Sequence, residues 1–435
     1  MKIDCHSDFK HFLLIIVSQL VLLTLMGCAT TQELKKKASV PFMQRAQTQR
    51  QGHLEVTVAM PSESEAEDIF AAPLSEKDIQ PIWIRIKNYE NAPHMFFPLL
   101  IDPNYYPPYE VVYKFKPSNN QDWYAEIREK SIHHFIEPRG EISGYIFTNL
   151  VHGTRRISVS IAGHGDMETF VFYIQDPGIQ LDYDRVDFDH LYPAEDRTYL
   201  NEINFRNALE KLPCCTTSLD GTRNGDPLNI VVIGGVEQVV DAFIDNGWDE
   251  TELLTSQNMA KAVKAFLAGS TYRHMSISPL YCFGRVQDLS MQKPRKTVSA
   301  RNHLRLWMTS MMYKGAPVWV GQISRDVGIR MTFKTWPPLT HKISPAVDEA
   351  REYLIENMVT SNTLAEFGFV GGVGPVSPAE PRENLTGDPY FTDGLRAVLV
   401  ISEKPTPADQ IKLLNWDWPP EYKDLIDRIF ELKSK

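Results

Sequence analysis

Between His53 and Gly178 apolar and polar residues alternate with period two. His53 to Val58, Ile82 to Ile86, Glu110 to Phe115, Ile142 to Phe147, Arg156 to Ile161 and Glu168 to Tyr173 all show this pattern. A strand buried on one face requires it, because successive side chains point to opposite sides. Turn-forming stretches separate the runs: Asn88 to Pro93, Pro103 to Pro108, Pro117 to Asn120 and Pro138 to Gly140. No helical period of useful length intervenes. Short strands punctuated by turns predict an all-β antiparallel sandwich of immunoglobulin-like size over residues 53–180.

The pattern then changes. Residues 181–212 read as a charged connector that becomes helical, with Thr198 or Asn201 as cap and Ile203, Leu209 and Leu212 as a partial apolar face ended by Pro213. Leu228 to Ile233 is a continuous apolar strand, Gly234 and Gly235 turn the chain, and Val236 to Gly247 reads as a helix closed by glycine. Met259 to Leu267 reads as a second helix. Pro279 to Gly284, His303 to Ser310, Pro317 to Ser324 and Gly328 to Lys334 read as strands, with Lys314 and Gly315 as a hairpin turn. A helix is expected from Pro345 at its first position, with Asp348 and Glu349 in its first turn and Val347, Tyr353, Leu354 and Met358 facing inward. Leu395 to Ile401 closes as a buried strand. Mixed strands and helices predict an α+β fold, a mixed sheet with packed helices, over residues 213–410. Residues 411–435 read as a C-terminal amphipathic helix, with Leu425, Ile426, Ile429 and Phe430 on its apolar stripe behind Trp416 and Trp418.

The N-terminal pattern bears on location. Phe12 to Leu25 is an apolar run of 14 residues, succeeded by Met26, Gly27, Cys28 and an immediate change to polar sequence. A spanning helix needs about 20 apolar residues, whereas signal-peptide cores fall in this shorter range. Residues 1–27 therefore read as a bacterial lipoprotein signal peptide, with Cys28 as the lipidated new N-terminus; the alternative is an uncleaved spanning anchor. Ala29 rather than Asp after that cysteine leans toward the outer over the inner membrane. Residues 28–52 read as a polar, basic tether with Lys35, Lys36, Lys37, Arg45 and Arg50 against Glu33 alone. The expected setting is the cell envelope, lipid-anchored, with periplasmic domains.

Composition adds exclusions. Cleavage before Cys28 leaves 408 of the 435 residues, more than one core ordinarily serves, which points to two domains. A formal net charge of −10 argues against a nucleic-acid partner. Apart from Cys5 and Cys28 the cysteines are Cys214, Cys215 and Cys282. An odd number makes a disulfide framework an unsuitable organising device, although an oxidising compartment permits one pair, either Cys214 with Cys215 or one of them with Cys282; Cys214 and Cys215 are a candidate redox site, with two small buried residues as the alternative. His133, His134, His152 and His164 match no strong metal-ligand spacing. No metal and no cofactor is expected.

Ordered blocks in the second half carry a resemblance. Leu212-Pro-Cys-Cys-Thr-Thr217, Asp220-Gly-Thr222, Gly225-Asp-Pro-Leu-Asn229, Ser278-Pro-Leu-Tyr281, Phe283-Gly-Arg-Val-Gln-Asp288, His303-Leu-Arg-Leu-Trp307, Val318-Trp-Val-Gly321, Thr340-His341 and Asp388-Pro-Tyr-Phe-Thr-Asp-Gly394 together resemble the LssY C-terminal domain family over residues 205–402. Relatives carry this domain alone or behind membrane-embedded segments, which this chain lacks, so the resemblance implies no reaction. Where the family pattern leads one to expect paired histidines, this chain has His341 and Lys342.

Four groups of residues have chemical potential. Arg285, Lys293, Arg301 and Arg305 form a locally basic segment able to grip an anion. His303, His341, Asp388 and Asp393 supply imidazole and carboxylate, the ingredients of general acid–base catalysis. Asp220 to Gly225 copies half a calcium loop, but Val231 occupies the position that needs glutamate, so a plain Asx turn is expected. Gly368, Gly371, Gly372 and Gly374 precede no P-loop lysine and read as a turn. Two hypotheses arise. A binding or scaffold module for an envelope protein or a lipid-related ligand places the arginines in ion pairs or at the surface. A hydrolase or transferase acting on a phosphorylated or lipid-linked substrate requires His303, His341, Asp388 and Asp393 to converge with the basic segment.

Overall fold

The computed structural model describes residues 40–115, 121–163, 165–253, 255, 258, 274–294, 301–331 and 339–423; for 329–331 and 339–341 it describes the backbone alone. The signal-like run, Cys28, the proposed Met259 to Leu267 helix, the 117–120 turn, His164 and most of the C-terminal helix lie outside the described residues. The chain divides into two compact units, Met1–Gln180 and Leu181–Lys435.

In the first unit the strands are β1 (Gln47–Gln51), β2 (Leu54–Ala59), β3 (Ile79–Asn88), β4 (His94–Phe96), β5 (Phe135–Ile136), β6 (Glu141–Asn149), β7 (Thr154–Gly163) and β8 (Asp166–Gln175). They form two four-stranded sheets, β1-β2-β3-β6 and β5-β4-β7-β8, antiparallel throughout. Alternation puts Val56, Val58, Ile82, Ile84, Ile86 and Ile146 of one sheet against Phe96, Ile157, Val159, Ile161, Phe170 and Phe172 of the other, in one core.

Two expectations are corrected here. Gln47–Gln51, placed in the tether by the sequence reading, pairs with β2 as an edge strand. The unit is also not all-β: it contains helices α1 (Glu63–Phe70), α2 (Pro108–Phe115) and α3 (Gln121–Lys130). The Glu110 to Phe115 run is therefore a helix rather than a strand. Its apolar residues Val111, Val112 and Phe115 satisfy helical spacing as well as alternation, and Pro108 supplies a preset first helical residue. They pack with Phe70, Ile127 and Phe147 in a second small core. Helix α1 starts at a capping box in which the Ser62 side chain accepts from the Glu65 backbone and the Glu65 side chain reaches back.

The second unit contains β9 (Thr198–Leu200), α4 (Glu202–Glu210), β10 (Cys215–Thr217), β11 (Asn224–Pro227), β12 (Ile230–Ile233), α5 (Val236–Asp245), β13 (Asp249–Glu250), β14 (Tyr281–Cys282), β15 (Arg285–Val286), β16 (Leu289–Pro294), β17 (Arg301–Tyr313), β18 (Ala316–Met331), β19 (Leu339–Ile343), α6 (Val347–Thr360), β20 (Leu364–Val370), β21 (Arg382–Glu383), β22 (Pro389–Tyr390), β23 (Arg396–Ile401) and β24 (Lys412–Leu413). Its main sheet runs β13-β16-β17-β18-β12-β23-β20-β24, with β19 and β9 paired to β18 and β17. The β12–β23 pair is parallel and β12–β18 antiparallel, so the sheet is mixed. Helices α5 and α6 cover one face through Val239, Val240, Phe243, Leu354 and Met358 against Leu304, Leu306, Ile323 and Leu399. On the other face α4 buries Phe205 and Leu209 against Val231, Val318 and Val398. The result is an α+β layer architecture.

The longest strands, β17 and β18, form a hairpin whose turn residues Lys314 and Gly315 have φ of 51° and 82°, the signs a type I′ turn demands. Three details differ from the sequence reading. Residues 181–212 are not a connector: Leu181 is buried, and Tyr183, Phe188, Leu191 and Tyr192 pack on the main core. Ile203 is 74% exposed, and Phe205 takes its place on the buried face of α4, capped by Asn201. Helix α6 starts at Val347, because Pro345 and Ala346 are engaged with Phe391 in extended pairing. Among the described residues no helix is long and apolar enough to cross a membrane.

Candidate functional site

Strand β17 separates two chemistries by alternation. Leu304 and Leu306 enter the core under α5 and α6. Arg301, His303 and Arg305 point to the opposite face, where they are nevertheless buried. Their cross-strand neighbours are also polar: Arg305 lies opposite Gln322 and Ser290, and His303 opposite Ser324 and Gln292. One half of this sheet face is thus a buried polar layer, while the other half, around Trp307 and Val320, is apolar.

The polar layer is cross-linked by hydrogen bonds. Arg305 donates to Gln322 Oε1 at 3.0 Å and to the Ser278 carbonyl at 3.0 and 3.2 Å. Arg301 donates to Gln292 Oε1 at 2.6 Å. His303 Nδ1 lies 3.5 Å from Asp326 Oδ2, both side chains being almost wholly buried. Ser290 donates to Asp182 Oδ2 at 2.6 Å. Asp226 enters from β11, holding Asn384 at 2.9 Å, and the backbone N–H of Asp388 donates to the side-chain oxygen of the same asparagine at 2.9 Å. Thr386 donates to Asp388 Oδ2 at 2.9 Å.

Electrostatics tie these groups into one cluster. Burial raises the pKa of Asp226 above the ordinary carboxylate value, against the pull of the Asn384 hydrogen bond and Arg305. Burial raises Asp326 well above that value, opposed by Arg305 and Arg301 and reinforced by Asp226 and Asp388. Arg305 is itself lowered by burial, with Asp226 and Asp326 working the other way. Two guanidiniums and an imidazole therefore share a buried layer with carboxyls, groups of opposite charge held together away from water. Among the described residues no group of three or more His, Cys, Asp and Glu is arranged to hold a metal ion.

Of the proposed catalytic set, His303 and Asp388 belong to this cluster. Asp393 does not: it forms a bidentate pair with the fully buried Arg351, 2.8 Å at each oxygen, which also contacts Asp348. This clamp ties α6 to the segment before β23. His341 pairs through its backbone with Ile329, and its side chain lies outside the described part. The basic segment also divides. Arg301 and Arg305 face the cluster, whereas Arg285 is held by both Asp288 oxygens and the Met308 carbonyl. Lys293 bonds the Asn246 carbonyl at the end of α5 and Asn357 of α6. Those two are structural ties. Cys214 and Cys215 are joined to each other, and Cys282 is a buried free thiol that burial pushes up to about 11. Asp220 makes the expected Asx turn, accepting from the Thr222 backbone and the Ser218 hydroxyl, which holds its carboxyl down at about 2.

Asp226, Asp326, Gln322, Ser324, Ser290 and Gln292 were not evident as site residues from the sequence. The signal that could have found them is Gln322, Ser324 and Asp326 at alternate positions of β18, with Ser290 and Gln292 at alternate positions of β16. The site is closed rather than open. A cavity of about 210 Å³ in the same unit lies beside the bulged end of the hairpin, lined by Phe188, Tyr192, Val236, Met308, Met312 and Pro317 together with Asp189, Arg197 and Thr309.

No curated protein matches the chain. The family model described as LssY C-terminus matches residues 207–395, a stretch that holds Asp226, Arg301, His303, Arg305, Asp326 and Asp388, so the second unit carries an LssY C-terminal domain.

Proposed function

We propose that this chain is a cell-envelope lipoprotein, anchored through Cys28, whose LssY C-terminal domain is a binding module for an anionic, phosphorylated or lipid-linked ligand or for an envelope protein that presents one. The observation that carries this reading is the placement of Arg301, His303 and Arg305 on one polar face of β17. Guanidiniums fit phosphate and carboxylate oxygens through paired N–H groups. The first unit is read as an immunoglobulin-like sandwich. That reading is supported by its two antiparallel sheets and their shared core. Ala29 after Cys28 supports an outer-membrane address facing the periplasm.

A hydrolase or transferase is the second reading, favoured by the His303–Asp326 contact at 3.5 Å, since a carboxyl partner orients an imidazole for proton transfer. One probe separates the two. Titrating the full-length chain with p-nitrophenyl phosphate is expected to give binding without release of p-nitrophenolate, weakened in Arg301→Gln. Release that disappears in His303→Asn would establish the enzyme instead, and neither binding nor release would remove the anion reading. The anchor is tested by intact mass and membrane fractionation beside Cys28→Ala. A lipidated mature mass and loss of membrane association in the variant are expected, whereas a full-length unlipidated species would replace the lipoprotein by a spanning anchor.

A further inference from the structure

A second cavity, of about 350 Å³, lies in the first unit, far along the sequence from the LssY domain. Its wall is built by Tyr105, Tyr106 and Pro107 ahead of α2, by Arg128 near the end of α3, and by His133 and His134 between α3 and β5. Tyr145 of β6 lies behind them. The backbone of this wall is pinned from several sides. The Tyr106 N–H donates to the Phe147 carbonyl at 2.7 Å, Ile132 N–H to the Tyr145 carbonyl at 3.0 Å, and Phe96 N–H to the His134 carbonyl at 2.8 Å. The Tyr106 hydroxyl donates to Asn149 at 2.7 Å, and Lys114 Nζ sits 4.3 Å from the Tyr106 ring centre. The cavity is therefore preformed rather than a gap between loose loops.

Its charge runs against that of the protein. The chain carries a formal net charge of −10, yet the lining includes no aspartate or glutamate and does include Arg128. Among the described residues no carboxylate pairs with Arg128, whose side chain is exposed at the cavity. A volume near the low end of small-molecule pockets, about 300–1,000 Å³, suits one ring-sized group. Tyrosine and proline rings offer flat apolar surfaces, and imidazole and hydroxyl groups both donate and accept hydrogen bonds. A guanidinium adds bidentate recognition of carboxylate or phosphate. A sugar ring uses all three: its C–H face stacks on the aromatic wall, its hydroxyls match the imidazoles, and an acidic substituent meets Arg128. An aryl acid would use the rings and the arginine and leave the two imidazoles without a role.

We propose that this cavity binds one residue of an anionic glycan, a sugar ring bearing a carboxylate or a phosphate. The site is independent of the reading given to the LssY domain. The test is calorimetric titration of the full-length chain in detergent with glucuronate, glucose 6-phosphate, glucose and benzoate. At least one acidic sugar is expected to bind tenfold or more tighter than glucose, and the better of the two identifies carboxylate or phosphate as the native acid. Arg128→Ala, an exposed position on a helix, and the double variant His133→Ala with His134→Ala are each expected to weaken that binding about tenfold. Circular dichroism should be unchanged. Benzoate binding as tightly as the sugars would overturn the proposal, as would acid-sugar binding unchanged in Arg128→Ala or lost in Arg301→Gln instead. Absence of binding by either acidic sugar would also overturn it.

Discussion

Arg351 and Asp393 show how a residue with catalytic credentials can be structural. Asp393 stands beside a glycine near a core strand, where sequence reasoning looks for catalytic groups, yet both its oxygens are taken by a guanidinium with no solvent exposure. Removing one partner of such a pair leaves a buried charge, at a cost of about 3–5 kcal/mol. Asp393→Ala and Arg351→Ala are therefore expected to shift the urea midpoint strongly, the arginine change more because Arg351 also meets Asp348 and Glu352, and the double variant should cost less than the sum of the two. Independent, additive losses would show that the pair is not coupled. His303 teaches the opposite lesson, since its partner Asp326 lies 23 positions away and only the register of β17 on β18 brings them together. Sequence marks the histidine but not the strand pairing.

Asp241 supplies a pH signature at the same scale. Burial first, then Asp245, Glu237 and Glu250, push its carboxyl up to about 7. The folded chain thus holds a proton there that the unfolded chain has released, so stability falls as pH rises from about 4 to 7 through this group. Asp241→Asn is expected to raise the melting temperature at pH 8, to change it little at pH 4, and to flatten the profile between. An equal shift at both pH values would show that the effect is not ionisation.

At the scale of elements, turn and cap chemistry is more legible than short alternation. The hairpin turn at Lys314 and Gly315 can be read because few residue pairs tolerate the backbone it needs. Gly315 has φ of 82°, so Gly315→Val places a β-branched side chain in the left-handed region and is expected to cost at least about 1 kcal/mol in chemical denaturation. Gly321, in the Val318 to Gly321 block, is constrained by space. A Cβ there would meet Leu306 Cδ2 at 2.5 Å and the Arg305 carbonyl at 2.8 Å. Gly321→Ala must push β17 away from β18 beside Arg305, at a cost of about 1–3 kcal/mol. Stability unaffected by either change would contradict the register described. Glu110 to Phe115 reads as a strand only because so short a run fits both periods, and the packing of Val111 and Val112 under Phe70 decides for helix.

For the whole molecule, the switch from alternating to mixed patterning places a change of architecture near residue 180, but leaves open which core the next twenty residues join. Residues 181–200 resemble a linker because they are rich in charge, yet Leu181, Tyr183, Phe188 and Leu191 commit them to the second core. Among the described residues the cores do not mix: the apolar clusters of the first unit draw on residues from Leu54 to Ile174, and those of the second on residues from Tyr183 onward. At roughly 135 residues the described part of the first unit is long enough to bury some two thirds of its unfolded surface, which is the range of self-sufficient domains. Fragments 40–180 and 181–435 are therefore each expected to fold, giving dispersed amide spectra and one cooperative urea transition apiece. A second fragment started at residue 213 instead should be destabilised or aggregate, because it lacks the Tyr183 to Leu191 cover, the β9 edge and the α4 side chains Phe205 and Leu209. If the fragment from 213 proved as stable as the fragment from 181, those residues would be the dispensable linker that their charge implies.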